Sequence, residues 1–181
     1  MYIIAQALSI VGCAFMILSF QFKNNRNLFI AQTLSAIAFG TSNFLLGALS
    51  GVLINIVATI NGLILFCGKR FRKKPILILI CLSYACIPII SLLNTFGNWS
   101  TKGILEIVFG LFLSFAQAIS TVAMWKNNGK LIRFARIFFA SPSWLLYNLV
   151  VFSLGGIICE AFSITSIIVS FIRYGKDGFE K

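Results

Sequence analysis

Leu28-Phe-Ile-Ala-Gln-Thr-Leu-Ser-Ala-Ile-Ala-Phe-Gly-Thr-Ser-Asn-Phe-Leu-Leu-Gly-Ala-Leu-Ser-Gly-Val-Leu-Ile-Asn-Ile-Val-Ala-Thr-Ile-Asn-Gly-Leu-Ile-Leu-Phe-Cys-Gly68 runs without one charged residue. A helix needs about 20 apolar residues to cross the hydrocarbon core, so this run is too long for a single span. Its natural break is Gly47-Ala-Leu-Ser-Gly51, where glycine and serine favour a tight turn. The stretch therefore reads as two membrane helices joined end to end.

Working outward, the remaining chain repeats this character. Of 181 residues 59% are hydrophobic and only 10% charged, with a mean hydropathy of +0.97, far from the roughly 25% charged composition of ordinary soluble domains. An all-α integral membrane protein is expected, with no folded soluble portion. A membrane β-barrel is not expected from the unbroken apolar runs, since barrel strands alternate apolar and polar residues. Seven segments can be marked, at about 2–22, 28–47, 51–68, 75–93, 103–125, 131–151 and 153–172. The first has no positive charge ahead of it and no small-residue cleavage pattern behind it, so it is expected to stay as a helix rather than serve as a signal peptide. Ser153-Leu-Gly-Gly156 marks a second tight turn late in the chain.

The net charge of +11 rests on fifteen Lys and Arg against four acids. When segments alternate direction, every basic residue except Lys102 falls on one side, including Lys69, Arg70, Arg72, Lys73 and Lys74 in one loop and Arg133 and Arg136 at the start of segment six. The positive-inside rule then puts the N-terminus outside and the C-terminus in the cytoplasm. Trp99 and Trp125 are expected at the two interfaces. Charge of this kind orients the chain and attracts anionic lipid; nucleic acid is not an expected partner. The five cysteines are scattered through apolar runs, the chain has no histidine, and no metal, cofactor or disulfide framework is expected. Asn98-Trp99-Ser100 matches a glycosylation acceptor, a short pattern common by chance.

The chain also repeats itself. Phe22-Lys-Asn-Asn25 returns as Trp125-Lys-Asn-Asn128, and one constant offset carries Asn43 to Asn148, Gly51 to Gly156, Asn55 to Glu160 and Phe66 to Phe171. Such self-similarity implies two three-helix bundles facing the same way. The expected domains are residues 1–68 as the first repeat, 69–102 as basic loop and linker helix, 103–173 as the second repeat, and 174–181 as a cytoplasmic tail.

This 3+1+3 arrangement resembles the SWEET sugar facilitators, the wider PQ-loop group and the PnuC-type vitamin transporters. More closely, Asn43-Phe-Leu-Leu-Gly47 followed by Asn55, and Trp144-Leu-Leu-Tyr-Asn148 followed by Gly155-Gly156 and Glu160, resemble the bacterial inner-membrane YgjV family. The resemblance implies a membrane protein with an internal repeat and says little about substrate. Tyr147 stands where the resemblance would place a histidine, so histidine-based proton chemistry is not implied here. In SWEET proteins a polar pair on the third and seventh helices lies in the substrate pocket, which points to Asn55 and Glu160.

Helical spacing independently gathers Gly51, Asn55, Ala58 and Gly62 on one face of segment three, and Ser153, Gly156, Glu160, Ser163 and Ser170 on one face of segment seven. Small residues on such stripes serve close helix packing. A carboxylate roughly 9 Å into a membrane helix is a different matter, because it needs a partner, a proton or water. The expected substrate-binding residues are Asn55 and Glu160, with Asn43, Asn148, Trp144, Tyr147 and Gln117 as further candidates; packing is the competing reading for each. Ser141-Pro142-Ser143 is expected to kink segment six, and the linker helix with Pro75 and Pro88 is expected to carry no chemistry. No catalytic constellation is present, so an enzyme is not expected. The leading expectation is a transporter that moves a polar small molecule by alternating access, proton-coupled if Glu160 titrates. The alternative is a non-transporting receptor or scaffold. Expected partners are the lipid bilayer and a small polar molecule, with a homo-oligomer left open.

Overall fold

The computed structural model describes residues 1–95 and 100–174, which are helical except for short connections. Helix α1 spans Tyr2–Ser19, α2 Asn25–Leu45, α3 Leu49–Cys67, α4 Lys74–Thr95 and α5 Thr101–Trp125. The next segment is built from three pieces: α6 (Gly129–Ala135), a π-helical turn (Arg136–Ala140) and α7 (Ser141–Val150). Helix α8 spans Leu154–Tyr174. Trp99 and the tail residues Lys176 and Lys181 lie outside the described residues, as does the side chain of Lys102.

Local chemistry sets most of these boundaries. Asn24 Oδ1 accepts from Arg26 N at 2.7 Å to cap α2, and Asn128 Oδ1 accepts from Lys130 N at 3.0 Å and Leu131 N at 3.2 Å to cap α6. The repeated Lys-Asn-Asn motifs are thus helix starters, and they also touch: Asn25 Nδ2 donates to the Asn127 carbonyl at 2.9 Å. Helix α3 stops at Gly68, whose φ of 97° suits only glycine. A short 3-10 turn, Lys69–Phe71, leads into α4.

The two tight turns are near copies. In the first, Leu46 N bonds Ser42 O at 3.0 Å and Ala48 N bonds Asn43 O at 2.9 Å; in the second, Val151 N bonds Tyr147 O at 3.1 Å and Ser153 N bonds Asn148 O at 3.0 Å. The left-handed position is Gly47 in one and Phe152 in the other, at φ 71° and 54°. A side chain there costs roughly 1–2 kcal/mol, so the second turn is held by its surroundings. Gln6 does this, donating to the Phe152 carbonyl at 3.2 Å and accepting from Gly155 N at 3.3 Å.

Helix α1 packs on α2 and α8, α2 on α3, α3 on α5, α5 on α6 and α7, and α7 on α8, which closes a ring; α4 lies against α3 and α5. Six of the helices are long and apolar enough to cross a membrane, and the broken segment Gly129–Val150 supplies the remaining membrane-length stretch. The polarity of the bundle is inverted relative to a water-soluble protein. Ile3, Phe44, Leu79, Phe115 and Ile172 are exposed on its outside, whereas Ser9, Ser35, Ser42, Asn55, Arg133 and Glu160 are buried. Apolar surface facing lipid gains nothing by burial, so helices associate through close packing and interhelical hydrogen bonds. Ser35 Oγ and Ser42 Oγ donate to carbonyls of Gly12 and Ala5 on α1, each at 2.7 Å. A Cβ on Gly51 would sit 2.7 Å from Asn43 Nδ2, and one on Gly156 would collide with the Asn148 amide, so the repeat-related pairs pack alike.

The break in segment six is a π-helical turn, Arg136–Ala140, just ahead of Pro142, in a helical run that continues through it. Two features differ from expectation. Arg133 and Arg136 do not sit with the surface charges. Both point into the bundle, Arg133 fully buried and Arg136 8% exposed. Trp125 also turns partly inward, its indole N–H bonding Asn61 Oδ1 at 2.7 Å.

Candidate functional site

Arg133 pins one end of the bundle. Its guanidinium donates to the carbonyls of Phe20 and Phe22, each at 3.0 Å, to Gly129 O at 3.1 Å and to Ser170 Oγ at 3.1 Å. These bonds satisfy carbonyls at the C-terminal end of α1 that helix geometry leaves orphaned. One turn further along, Arg136 Nη2 meets Glu160 Oε1 at 2.6 Å. The π turn carries Arg136 and α8 carries Glu160, so the ion pair bridges the broken segment and the last helix.

The pair is incompletely satisfied. Glu160 Oε2 and Arg136 Nε have no hydrogen-bond partner among the described residues, and Ser141 Oγ, beside the same carboxylate, also makes no hydrogen bond of good geometry. A buried ion pair repays its desolvation only when its remaining lone pairs and protons are occupied. Both side chains line a central cavity of about 80 Å³, which offers an occupant to those free valences.

Every membrane-length segment contributes to this cavity. Side-chain amides supply much of its polar wall: Gln32 from α2, Asn55 and Asn61 from α3, Gln117 from α5 and Asn148 from α7. Thr33, Ser120 and Thr121 add hydroxyls, and Trp144 and Tyr84 add aromatic faces. Amides and hydroxyls both donate and accept, while the ion pair carries no net charge. The wall therefore suits a neutral or zwitterionic polar molecule. At roughly 10–15 Å³ per water position, the space holds about five to eight waters or a comparably small solute.

The structure brings together Asn55, Glu160, Asn148, Trp144 and Gln117 of the residues singled out in the sequence. Asn55 donates through Nδ2 to Gly51 O at 2.8 Å, and it also borders a shallow groove between α2 and α3 on the outside of the bundle. Asn43 and Tyr147 are placed elsewhere. Asn43 packs against Gly51. Tyr147 is fully buried, accepting from Gly51 N at 2.7 Å and donating to Glu106 Oε1 at 3.3 Å, with its ring edge-on to Trp144. Glu106 Oε1 also accepts from Ser50 N at 3.2 Å. It thus caps the start of α3 as Gln6 caps the start of α8.

Sequence reasoning missed Arg136, Tyr84, Gln32, Thr33, Asn61, Ser120 and Thr121. For Arg136 a signal existed: it lies seven residues into a membrane-length segment that begins at Gly129, and a lone buried acid needs a cation. For Tyr84 the sequence offers only a tyrosine in an otherwise apolar α4, a helix expected to carry no chemistry, and only the packed bundle puts it on the cavity wall. No group of His, Cys, Asp or Glu among the described residues has the spacing of a metal site.

A helical bundle with an apolar outside and a polar, charged interior defines a multi-pass membrane protein. Residues 3–177 match the family Imp-YgjV, described as bacterial inner membrane protein, and the chain belongs to that family. It is a multi-pass protein of the bacterial inner membrane. No curated protein and no solved structure matches the chain.

Proposed function

We propose that this protein is a small transporter which binds a neutral or zwitterionic polar molecule in the central cavity and moves it across the inner membrane by alternating access. The observation that carries the proposal is the Arg136–Glu160 pair, buried on the cavity wall with one free valence on each partner. Intramembrane charges of this kind mark ligand or ion pathways, since a purely structural role is filled at lower cost by apolar residues. A molecule presenting a donor to Glu160 Oε2 and an acceptor to Arg136 Nε would complete the pair, with Asn55 and Asn148 flanking it.

Alternating access in this reading uses two halves, α1–α3 and α5–α8, with α4 as linker, oriented N-terminus out and C-terminus in. Supporting it are the near-identical turns at Gly47 and Phe152, the matched Asn–Gly contacts, and the matched caps from Gln6 and Glu106. The cavity lies where residues of both halves converge, and the π turn beside it is a backbone irregularity of the kind that often marks functional sites. Among residues on the wall, Glu160 is the one that can take up a proton on losing its partner, which would couple movement of the pair to protonation.

Uptake into proteoliposomes of a panel of small neutral and zwitterionic solutes tests the proposal. A transported compound should lose at least about 90% of its flux in Glu160→Gln and be slowed in Asn55→Ala. Wild-type flux in both variants would remove the cavity from the transport path.

A further inference from the structure

A second polar recess lies at the opposite end of α3 from the Gly47 turn. It is an open cleft of about 330 Å³ walled by Asn25, Arg26, Leu65, Gly68, Arg72 and Asn127. Both arginines are held in place by aromatic faces: the Arg26 guanidinium lies 4.8 Å over the Phe66 ring and that of Arg72 lies 5.4 Å over Phe29. Stacking of this kind fixes the plane of the guanidinium fork before any ligand arrives. Arg72 spends one donor on Leu65 O at 3.0 Å, but its Nε is buried without a partner. Asn25, 2% exposed, gives its Nδ2 to Asn127 O and leaves Oδ1 buried and unpartnered on the same wall.

Among the described residues no acid balances these cations. The only acids among the described residues are Glu106, which caps α3 at its other end, and Glu160, which is engaged by Arg136. Arg72 makes no ion pair with any of them, and its burial lowers its pKa from the ordinary arginine value. Two pre-oriented guanidinium groups with a nearby buried acceptor fit one ligand chemistry: an anionic oxygen cluster with a hydroxyl beside it.

We infer that the cleft between the ends of α2 and α3 binds the phosphate of a hydroxyl-bearing phosphate ester, with Arg26 and Arg72 on the phosphate oxygens and Asn25 Oδ1 on the hydroxyl. The ester is either the glycerophosphate headgroup of an anionic lipid or a free phosphate ester. The inference is independent of the central cavity and of any transport.

The test measures binding by purified full-length protein in detergent, with native mass spectrometry and thermal shift, using phosphatidylglycerol, phosphatidylcholine and sn-glycerol 3-phosphate as probes. Phosphatidylglycerol should bind in preference to phosphatidylcholine, and Arg26→Gln should weaken it about tenfold, the equivalent of one charge-assisted contact. Arg72→Lys keeps the charge but loses the fork and should also weaken it. Lys73→Gln removes an exposed charge from the same loop and should leave binding within about twofold. The Arg26 side chain makes no hydrogen bond among the described residues, so its variant is expected to remain folded where changes at Arg72 disturb α3. Binding of sn-glycerol 3-phosphate with the same dependence on Arg26 identifies the free ester as the source; its absence, with lipid binding intact, identifies the headgroup. Equal effects of Lys73→Gln and Arg26→Gln, or equal binding of the two lipids with no Arg26-dependent binding of sn-glycerol 3-phosphate, would overturn the inference.

Discussion

Replacing Glu160 by alanine is expected to destabilise the protein by about 3 kcal/mol or more, because it strands the Arg136 guanidinium in the bundle interior with no counter-charge. The size follows from an asymmetry. Forming a buried ion pair gains little over apolar residues of similar volume, but breaking one leaves an uncompensated charge whose desolvation is no longer offset. The paired replacement Arg136→Met with Glu160→Leu should therefore recover most of the lost stability while leaving the cavity without its charged wall. Thermal or denaturant unfolding in a fixed detergent, monitored across the two single variants and the double, reads the comparison. A double variant as unstable as Glu160→Ala would mean that the pair holds the helices together through bonds that apolar packing cannot replace. The strong rescue expected here separates a retained functional group from a structural one.

The second large effect belongs to Arg133. Its change to leucine removes donors from the carbonyls of Phe20, Phe22 and Gly129 and from Ser170 Oγ. Ser170 Oγ keeps its bond to Ile167 O, and Gly129 O lies in the α6 ladder, so the Phe20 and Phe22 carbonyls bear the loss; at about 1–3 kcal/mol for each buried acceptor left orphaned it comes to about 3 kcal/mol. The damage should be local first. Amides in the last turn of α1 and the adjoining turn of α8 are expected to exchange with solvent much faster than in the wild type, while the Gly47 end keeps its protection. Arg133→Lys retains a charge and three donors but lacks the planar fork, and should fall between the two. Uniformly faster exchange along the bundle would instead assign Arg133 a global role.

How much of this was legible in the sequence depends on which kind of signal carried each feature. The helical segments and both tight turns follow from apolar runs interrupted by Gly, Ser and Asn, and the structure places α2, α3 and α8 close to where those runs fall. The importance of Glu160 was legible because one carboxylate in an apolar helix is costly on any account. Its partner was not, because counting basic residues by loop ignores the direction in which each side chain points. Arg133 and Arg136 are three residues apart and so share a helix face, yet only the packed bundle decides that this face looks inward. The π turn has no composition of its own, being a backbone adjustment between α6 and α7 where the segment packs on α5. Tyr147 shows the reverse error of emphasis: an aromatic near a proline reads as a stacking surface, whereas its hydroxyl is consumed by Gly51 N and Glu106. Tyr84 shows the limit of reasoning by repeat, since a helix outside both halves escapes comparison while still touching the cavity.

The central claim is that the cavity between the halves opens alternately to the two sides of the membrane. Its most direct test places one thiol on the cavity wall, as Ser120→Cys, in a chain whose Cys67, Cys81 and Cys86 have been changed to alanine and whose buried Cys13 and Cys159 are kept. A membrane-impermeant thiol reagent is then applied separately from each side, to right-side-out and inside-out vesicles, with the chain lacking Ser120→Cys as background. The account predicts labelling above background from both sides, and loss of labelling from one side when a transported solute is present. Labelling from a single side under every condition would contradict it and leave the cavity as a receptor site.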